Sequence, residues 1–232
     1  MKKHITCTLF CFSIIAMIFA QGNSYSDLTK LGTLSRSQFD PGSIVTRNLY
    51  FEGGWVKAKL LKADNSVMSN DSFLYNFDKI DRSLLITADF KNVFEIDHRE
   101  FKAIIFYVHD SAYLFKHIDF INDKDLFQIL INSKDKYSLC KVMRTKLIKY
   151  YSSIGLQPAR LSPLDKYEDI IMYYIFFPSR DYKKIFLLKK SAIEKAFRLD
   201  PDGQKVSEYL EAIGKKELSE NDLMQLINYL NT

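Results

Sequence analysis

Three histidines, His98, His109 and His117, stand among the carboxylates Asp97, Glu100, Asp110 and Asp119. Imidazole and carboxylate are the donors a zinc site uses, and three histidines leave a fourth position open for an activated water. The spacing argues against such a site. Gaps of eleven and eight residues match no compact ligand motif, there is no His-Glu-x-x-His, and each histidine falls where a turn or strand end is expected. Solvated loop histidines are the ordinary reading. A metal-assisted hydrolase using His98, His109 and His117 remains an alternative, and no catalytic, cofactor-binding or metal residue is assigned from the sequence.

Nucleophilic chemistry has less to rest on. No Gly-x-Ser-x-Gly is present, and Cys140 falls in a predicted strand with no histidine near it in sequence. A Cys–His pair could still assemble in space. A buried thiol behaving as a small core hydrophobe is the ordinary expectation. Asp200-Pro201-Asp202-Gly203 has the look of a calcium loop but lacks the third acidic position and the spacing to a closing Glu, so a helix start accounts for it. Glycine-rich phosphate loops are absent, which disfavours ATP and dinucleotide chemistry. The aromatic residues, 14% of the chain, include Trp55, Tyr150-Tyr151 and Tyr173-Tyr174. They could stack on sugars or enclose a lipid, although aromatic residues in strands usually serve as core or cross-strand pairs.

The elements that would position these groups are mostly strands. From Trp55 to Leu61 the chain alternates, with Val56, Ala58 and Leu60 on one side and Lys57 and Lys59 on the other, after a Gly53-Gly54 turn. Asp64-Asn65-Ser66 reads as the next turn. Short runs of Ile, Val, Phe and Tyr separated by Asp, Asn, Lys and Ser then predict strands over 67–77, 83–88, 92–97, 101–108, 112–118, 126–132 and 137–146. Residues 103–108 are apolar on both faces and predict a central strand. Residues 149–166, with Pro158 and Pro163, read as a long connection before strands over 168–177 and 182–189.

From Lys190 the apolar period lengthens to that of a helix. Ser191 is placed to cap a short helix through Phe197. Asp200-Pro201 starts a second, with Val206, Tyr209, Leu210 and Ile213 on one stripe, ending at Gly214. Ser219 with Asp222 resembles a capping box before a third helix bearing Leu223, Leu226, Ile227 and Leu230. These stripes are expected to cover an open face or end of the sheet, the alternative being a detachable partner-binding hairpin. The expected fold is mainly β (α+β): an antiparallel sheet or partly open barrel with short C-terminal helices.

The chain opens with Met1-Lys2-Lys3-His4 and runs uncharged from Ile5 to Ala20, the pattern of a cleavable secretory signal. The run is short for a membrane span, which needs roughly 20 apolar residues. Residues 1–20 are therefore read as a signal peptide, residues 21–48 as a flexible leader poor in large apolar groups, residues 49–190 as an antiparallel β domain and residues 191–232 as a helical cap. Cys140 is then the one thiol left after cleavage. The charge of +5 falls to about +3 without Lys2 and Lys3, too weak and too well mixed for a nucleic-acid footprint. With 47% hydrophobic and 26% charged residues, the remainder has a globular balance and no second segment of membrane-helix length.

The lead-in Tyr-Phe-x-Gly-Gly-Trp-Val-Lys, the run Tyr-Glu-Asp-Ile-Ile-Met-Tyr-Tyr from Tyr167, the segment Phe186 to Phe197 and the closing Leu223 to Asn231 together resemble a loose group of secreted Bacteroidetes-type proteins of unknown function, β-meanders with C-terminal helices. The resemblance implies export and β-architecture and transfers no functional residue. The sequence thus points to an exported, non-enzymatic envelope protein, periplasmic, outer-membrane-associated or extracellular, with a structural or binding role. Its expected partner is an unidentified envelope protein or an apolar ligand. A periplasmic carrier of a lipid or other apolar ligand is the second reading, and it predicts a cavity lined by residues such as Phe106, Phe127, Ile175 and Phe177.

Overall fold

The computed structural model describes residues 34–36, 49–51, 54–90, 92–148 and 166–232. The proposed signal, most of the leader, Tyr150-Tyr151 and all of the predicted 149–166 connection except Lys166, where a strand begins, lie outside them. The chain divides into two compact units, residues 1–111 and 112–232. Its strands pair antiparallel throughout, and the three short helices follow them at the C-terminal end, so the architecture is the mainly β one expected. Among the described residues, no helix is long and apolar enough to cross a membrane.

In the first unit, β1 (Leu34–Arg36), β6 (Val93–Ile96), β5 (Ser83–Thr87) and β4 (Leu74–Asp78) lie side by side in that order. Separately, β2 (Lys57–Lys62) pairs with β3 (Val67–Met68) and β7 (Phe101–Val108). The predicted strand 67–77 is split. Asn70 accepts from the Ser72 N–H at 2.8 Å and its carbonyl accepts from the Phe73 N–H at 3.1 Å, so a turn interrupts the run. Among the described residues, β5 is buried along its whole length, whereas β7 alternates, with Lys102 and Tyr107 exposed.

The Gly54 turn forms as its residue type requires. Gly54 takes φ +134°, its N–H donates to the Phe51 carbonyl at 3.1 Å, and the fully buried Asn76 side chain donates to the Phe51 and Gly54 carbonyls at 3.1 and 2.7 Å. The same amide's oxygen accepts from the Phe51 and Phe77 N–H groups. A buried Asn is tolerated here because both ends of its amide are satisfied.

In the second unit, β8 (Ser111–Ile118), β9 (Asn122–Ile131), β10 (Ser138–Ile148), β11 (Lys166–Phe176) and β12 (Tyr182–Ile185) pair in chain order. Strand β9 starts four residues earlier than predicted. The polar stretch Asn122 to Asp125 reads as loop, yet it pairs with β8, and Asp125 is buried against Arg144 of β10. Strand β12 ends early, at Ile185, where the chain leaves the sheet for the helices.

Helices α1 (Lys190–Phe197), α2 (Gly203–Ile213) and α3 (Glu220–Leu230) cover one face of this sheet. Ile193, Phe197, Val206, Leu210, Leu223, Leu226 and Ile227 are buried against Tyr137, Leu139, Tyr173, Ile175, Phe177 and Ile185 of the sheet. Ser191 does not cap α1. The preceding residue is Lys189, and the Lys190 N–H is satisfied by the Lys216 carbonyl at 3.0 Å, so a neighbouring strand-like segment replaces the side-chain cap. Helix α2 starts two residues later than its Asp-Pro signal, at Gly203, and ends at Gly214 in the left-handed conformation, φ +69°. A Cβ at Gly203 would stand 2.6 Å from the Phe197 carbonyl oxygen, which is why glycine begins that helix.

The capping box of α3 is complete. The Ser219 hydroxyl accepts from the Asp222 N–H at 3.1 Å, and the Asp222 carboxylate accepts from the Ser219 N–H at 2.8 Å. Both ends of α3 are tied to the sheet: Lys141 pairs with Glu220 at 2.7 Å, and Asn231 receives the Tyr137 N–H at 3.0 Å and donates to the Tyr137 carbonyl at 2.9 Å. The helices are fastened over the sheet by polar bonds as well as by their apolar stripe.

Candidate functional site

The residues singled out in the sequence take separate structural duties. His98 lies 3.4 Å from the carboxylate of Asp97, which caps the turn His98–Glu100 and binds Arg99. The Arg99 guanidinium holds the Asp97 carboxyl well below the usual carboxylate range. His109 is exposed in a turn at φ +51°. His117 projects from β8 with Nδ1 3.1 Å from the Asp125 carbonyl oxygen. Among the described residues, no group of three or more His, Cys, Asp or Glu side chains is placed to hold a metal ion.

Asp200 and Asp202 accept from the Tyr137 hydroxyl at 2.5 and 2.9 Å, and Lys205 pairs with Asp202 at 2.7 Å. Hydrogen bonding to Lys205 first and Tyr137 second lowers the Asp202 pKa. These carboxylates thus anchor the start of β10 to the helical layer. Trp55 packs beside Leu49, Leu85 and Val93. Tyr173 is buried under the helices with its hydroxyl 2.9 Å from Glu220. Ile175 and Phe177 also belong to the helix-covered core, while Phe127 belongs to a second cluster, so these residues share no single cavity wall.

That second cluster lies on the other side of the sheet. Strand β10 alternates between the two faces, with Leu139 under the helices and Cys140 and Val142 in the second cluster alongside Phe127, Met172 and Tyr174. The sheet curls to cover it. Phe120, in the β8–β9 turn, reaches across the intervening strands to Phe176 of β11 and Tyr182 of β12, with ring centroids 6.2 and 6.1 Å apart. Register shifts at His117/Ile118 and at Leu139/Cys140 provide the bends. Among the described residues no ladder joins β8 to β12, so the curl stays short of a barrel.

An open cleft of about 460 Å³ occupies the mouth of this curl. Ile118, Phe120, Ile129 and Phe176 supply its apolar wall, Lys116, His117, Asp119, Asn132, Ser138 and Cys140 complete it, and Ile131 and Leu139, whose side chains belong to the helix-covered cluster, border it. Phe120 hangs over it with 70% of its surface exposed. Deeper on the same side, Asp125 is fully buried and takes a bidentate bond from Arg144, with Arg144 Nε 3.0 Å from the carboxylate. Such a fork fixes β9 against β10 in geometry as well as energy.

His117 and Cys140 both border this cleft, on strands β8 and β10 with β9 between them. The thiol is not activated. Burial pushes its pKa up, which keeps it protonated at neutral pH, whereas a nucleophilic cysteine needs its thiolate. Cys140 is therefore a core side chain at the edge of the cleft and not a nucleophile.

Sequence reasoning missed Phe120 and the Asp125–Arg144 pair. A large aromatic between Asp119 and Ile121 in a polar turn was the available signal for the first. Nothing local marked the second, since its partners lie 19 residues apart. No known family model matches this chain, and neither a curated protein nor a solved structure is similar to it.

Proposed function

We propose that this is an exported, non-enzymatic binding protein of the cell envelope that holds an apolar ligand of acyl-chain type in the cleft of its second unit. The observation that carries the reading is the 460 Å³ cleft with its wall of aliphatic and aromatic side chains and Phe120 over its mouth. Its size falls in the range of small-molecule sites, and a mostly apolar lining with a few polar groups at the rim is their usual chemistry. Export is supported by the Lys2-Lys3 start and the uncharged run from Ile5 to Ala20.

Titration of the protein with a fluorescent polyene fatty acid tests the proposal. Saturable binding at one site is expected, weakened at least about tenfold by Phe120→Ala, which removes a side chain that buries its face on the ligand. Asn132→Trp, placed at an exposed position of the cleft wall, should block it. Absence of saturable binding, or equal binding by wild type and both variants, would overturn the reading.

A further inference from the structure

Away from the cleft, the link from β12 into the helices carries an unusual surface. Phe186 and Leu187 are each 59% exposed and Leu199 is 89% exposed, and all three border one shallow concavity of about 490 Å³. Lys183, Lys184, Lys195 and Arg198 border it too, and no carboxylate does. Among the described residues, none of these four cations is held in an ion pair. Lys184 instead lies over the Phe186 ring at 4.5 Å, and the acid of α1, Glu194, is turned to Lys190 at 3.7 Å. Large apolar side chains left in water beside unneutralised cations mark an interaction surface.

From this juxtaposition we infer that the surface docks the protein on an anionic phospholipid bilayer. The charges select the partner: four cations and no carboxylate border this concavity, Glu194 and Asp200 lying beside Lys195 and Arg198 around an adjacent hollow, so the concavity complements a negatively charged surface. The apolar groups select a bilayer over a folded acidic protein. They protrude among the cations, which suits a headgroup layer that admits side chains wherever they fall, while lysine and arginine stems lie along the apolar boundary with their charges at the phosphates. A helix lying at the edge of the patch, α1, presents Lys195 on its exposed side, and Arg198 is exposed at its C-cap.

Co-sedimentation with vesicles is the test. The protein is expected to pellet with vesicles of equal parts zwitterionic and anionic phospholipid, to stay in solution with purely zwitterionic ones, and to be released by high salt. The double variant Lys195→Glu/Arg198→Glu should bind anionic vesicles at least about tenfold more weakly. Leu199→Ser, at a site outside any helix, should weaken binding without touching charge, and it keeps the test open if the double variant does not fold. The cleft variant Phe120→Ala should pellet as wild type, so this inference and the ligand proposal fail separately. Equal pelleting with both vesicle types, pelleting with neither, or unchanged pelleting of both patch variants would overturn the inference.

Discussion

The two faces of the second unit's sheet are built from the same strands and do different work. On the helix-covered face, Leu139, Tyr173 and Ile175 meet three helices, and apolar side chains from both layers are buried to within a few per cent. Polar groups there stay at the borders, as in the bonds of Tyr137 and Glu220. On the curled face, Cys140, Val142, Met172 and Tyr174 are covered by the sheet's own bend, which ends at Phe120 in an open cleft. A face sealed by separate elements can be packed dry. One sealed by curvature retains a mouth, and the cleft sits there.

Truncations should separate the faces, and the largest loss belongs to the sealed one. Phe197 is fully buried, 5.1 Å from the Phe177 ring and 5.7 Å from that of Tyr137. Phe197→Ala should cost about 3–5 kcal/mol in urea denaturation. On the curled face, Asp125→Ala leaves Arg144 without its partner. That change should cost about 2 kcal/mol, below the usual figure for a broken buried pair because Arg144 is 33% exposed and can turn to water. A loss on the curled face equal to the Phe197→Ala loss would erase the distinction.

Smaller effects sharpen it. Ser219→Ala removes one half of the α3 capping box and should cost about 1 kcal/mol. The backbone N–H of Ser219, then the Lys215 ammonium and the Ser219 hydroxyl, lower the Asp222 pKa from 3.8 to about 2. A carboxylate lowered on folding stabilises the fold above its unfolded pKa and loses that contribution as pH falls through the folded value. The urea midpoints of wild type and Asp222→Asn should therefore differ above about pH 4 and converge toward pH 2. Phe120→Ala, at the exposed rim, should change stability by less than about 0.5 kcal/mol while weakening ligand binding.

Local signals were the legible ones. The box Ser219/Asp222, the left-handed Gly214, the turn at Asp64 to Ser66 and the alternation of Val56 to Leu60 depend on neighbours within a few residues, and the structure contains each of them. The apolar stripes of α2 and α3 likewise announced a face that had to be covered. What could not be read depended on distant pairing. Asp125 looks like a loop residue until Arg144 lies beside it, and the cleft exists because the β8–β9 turn bends back over β11 and β12. For the histidines the spacing had argued against a site, and the structure gives His98 and His117 separate local partners and leaves His109 exposed in a turn.

The most direct test of the two-faced sheet is methyl NMR of the isotopically labelled protein titrated with dodecanoate. The account predicts saturable shifts at Ile118 and Ile129 around the cleft, with Ile193, Leu223 and Ile227 under the helices unmoved. Shifts confined to the helix-covered methyls, or none at saturating dodecanoate, would contradict it.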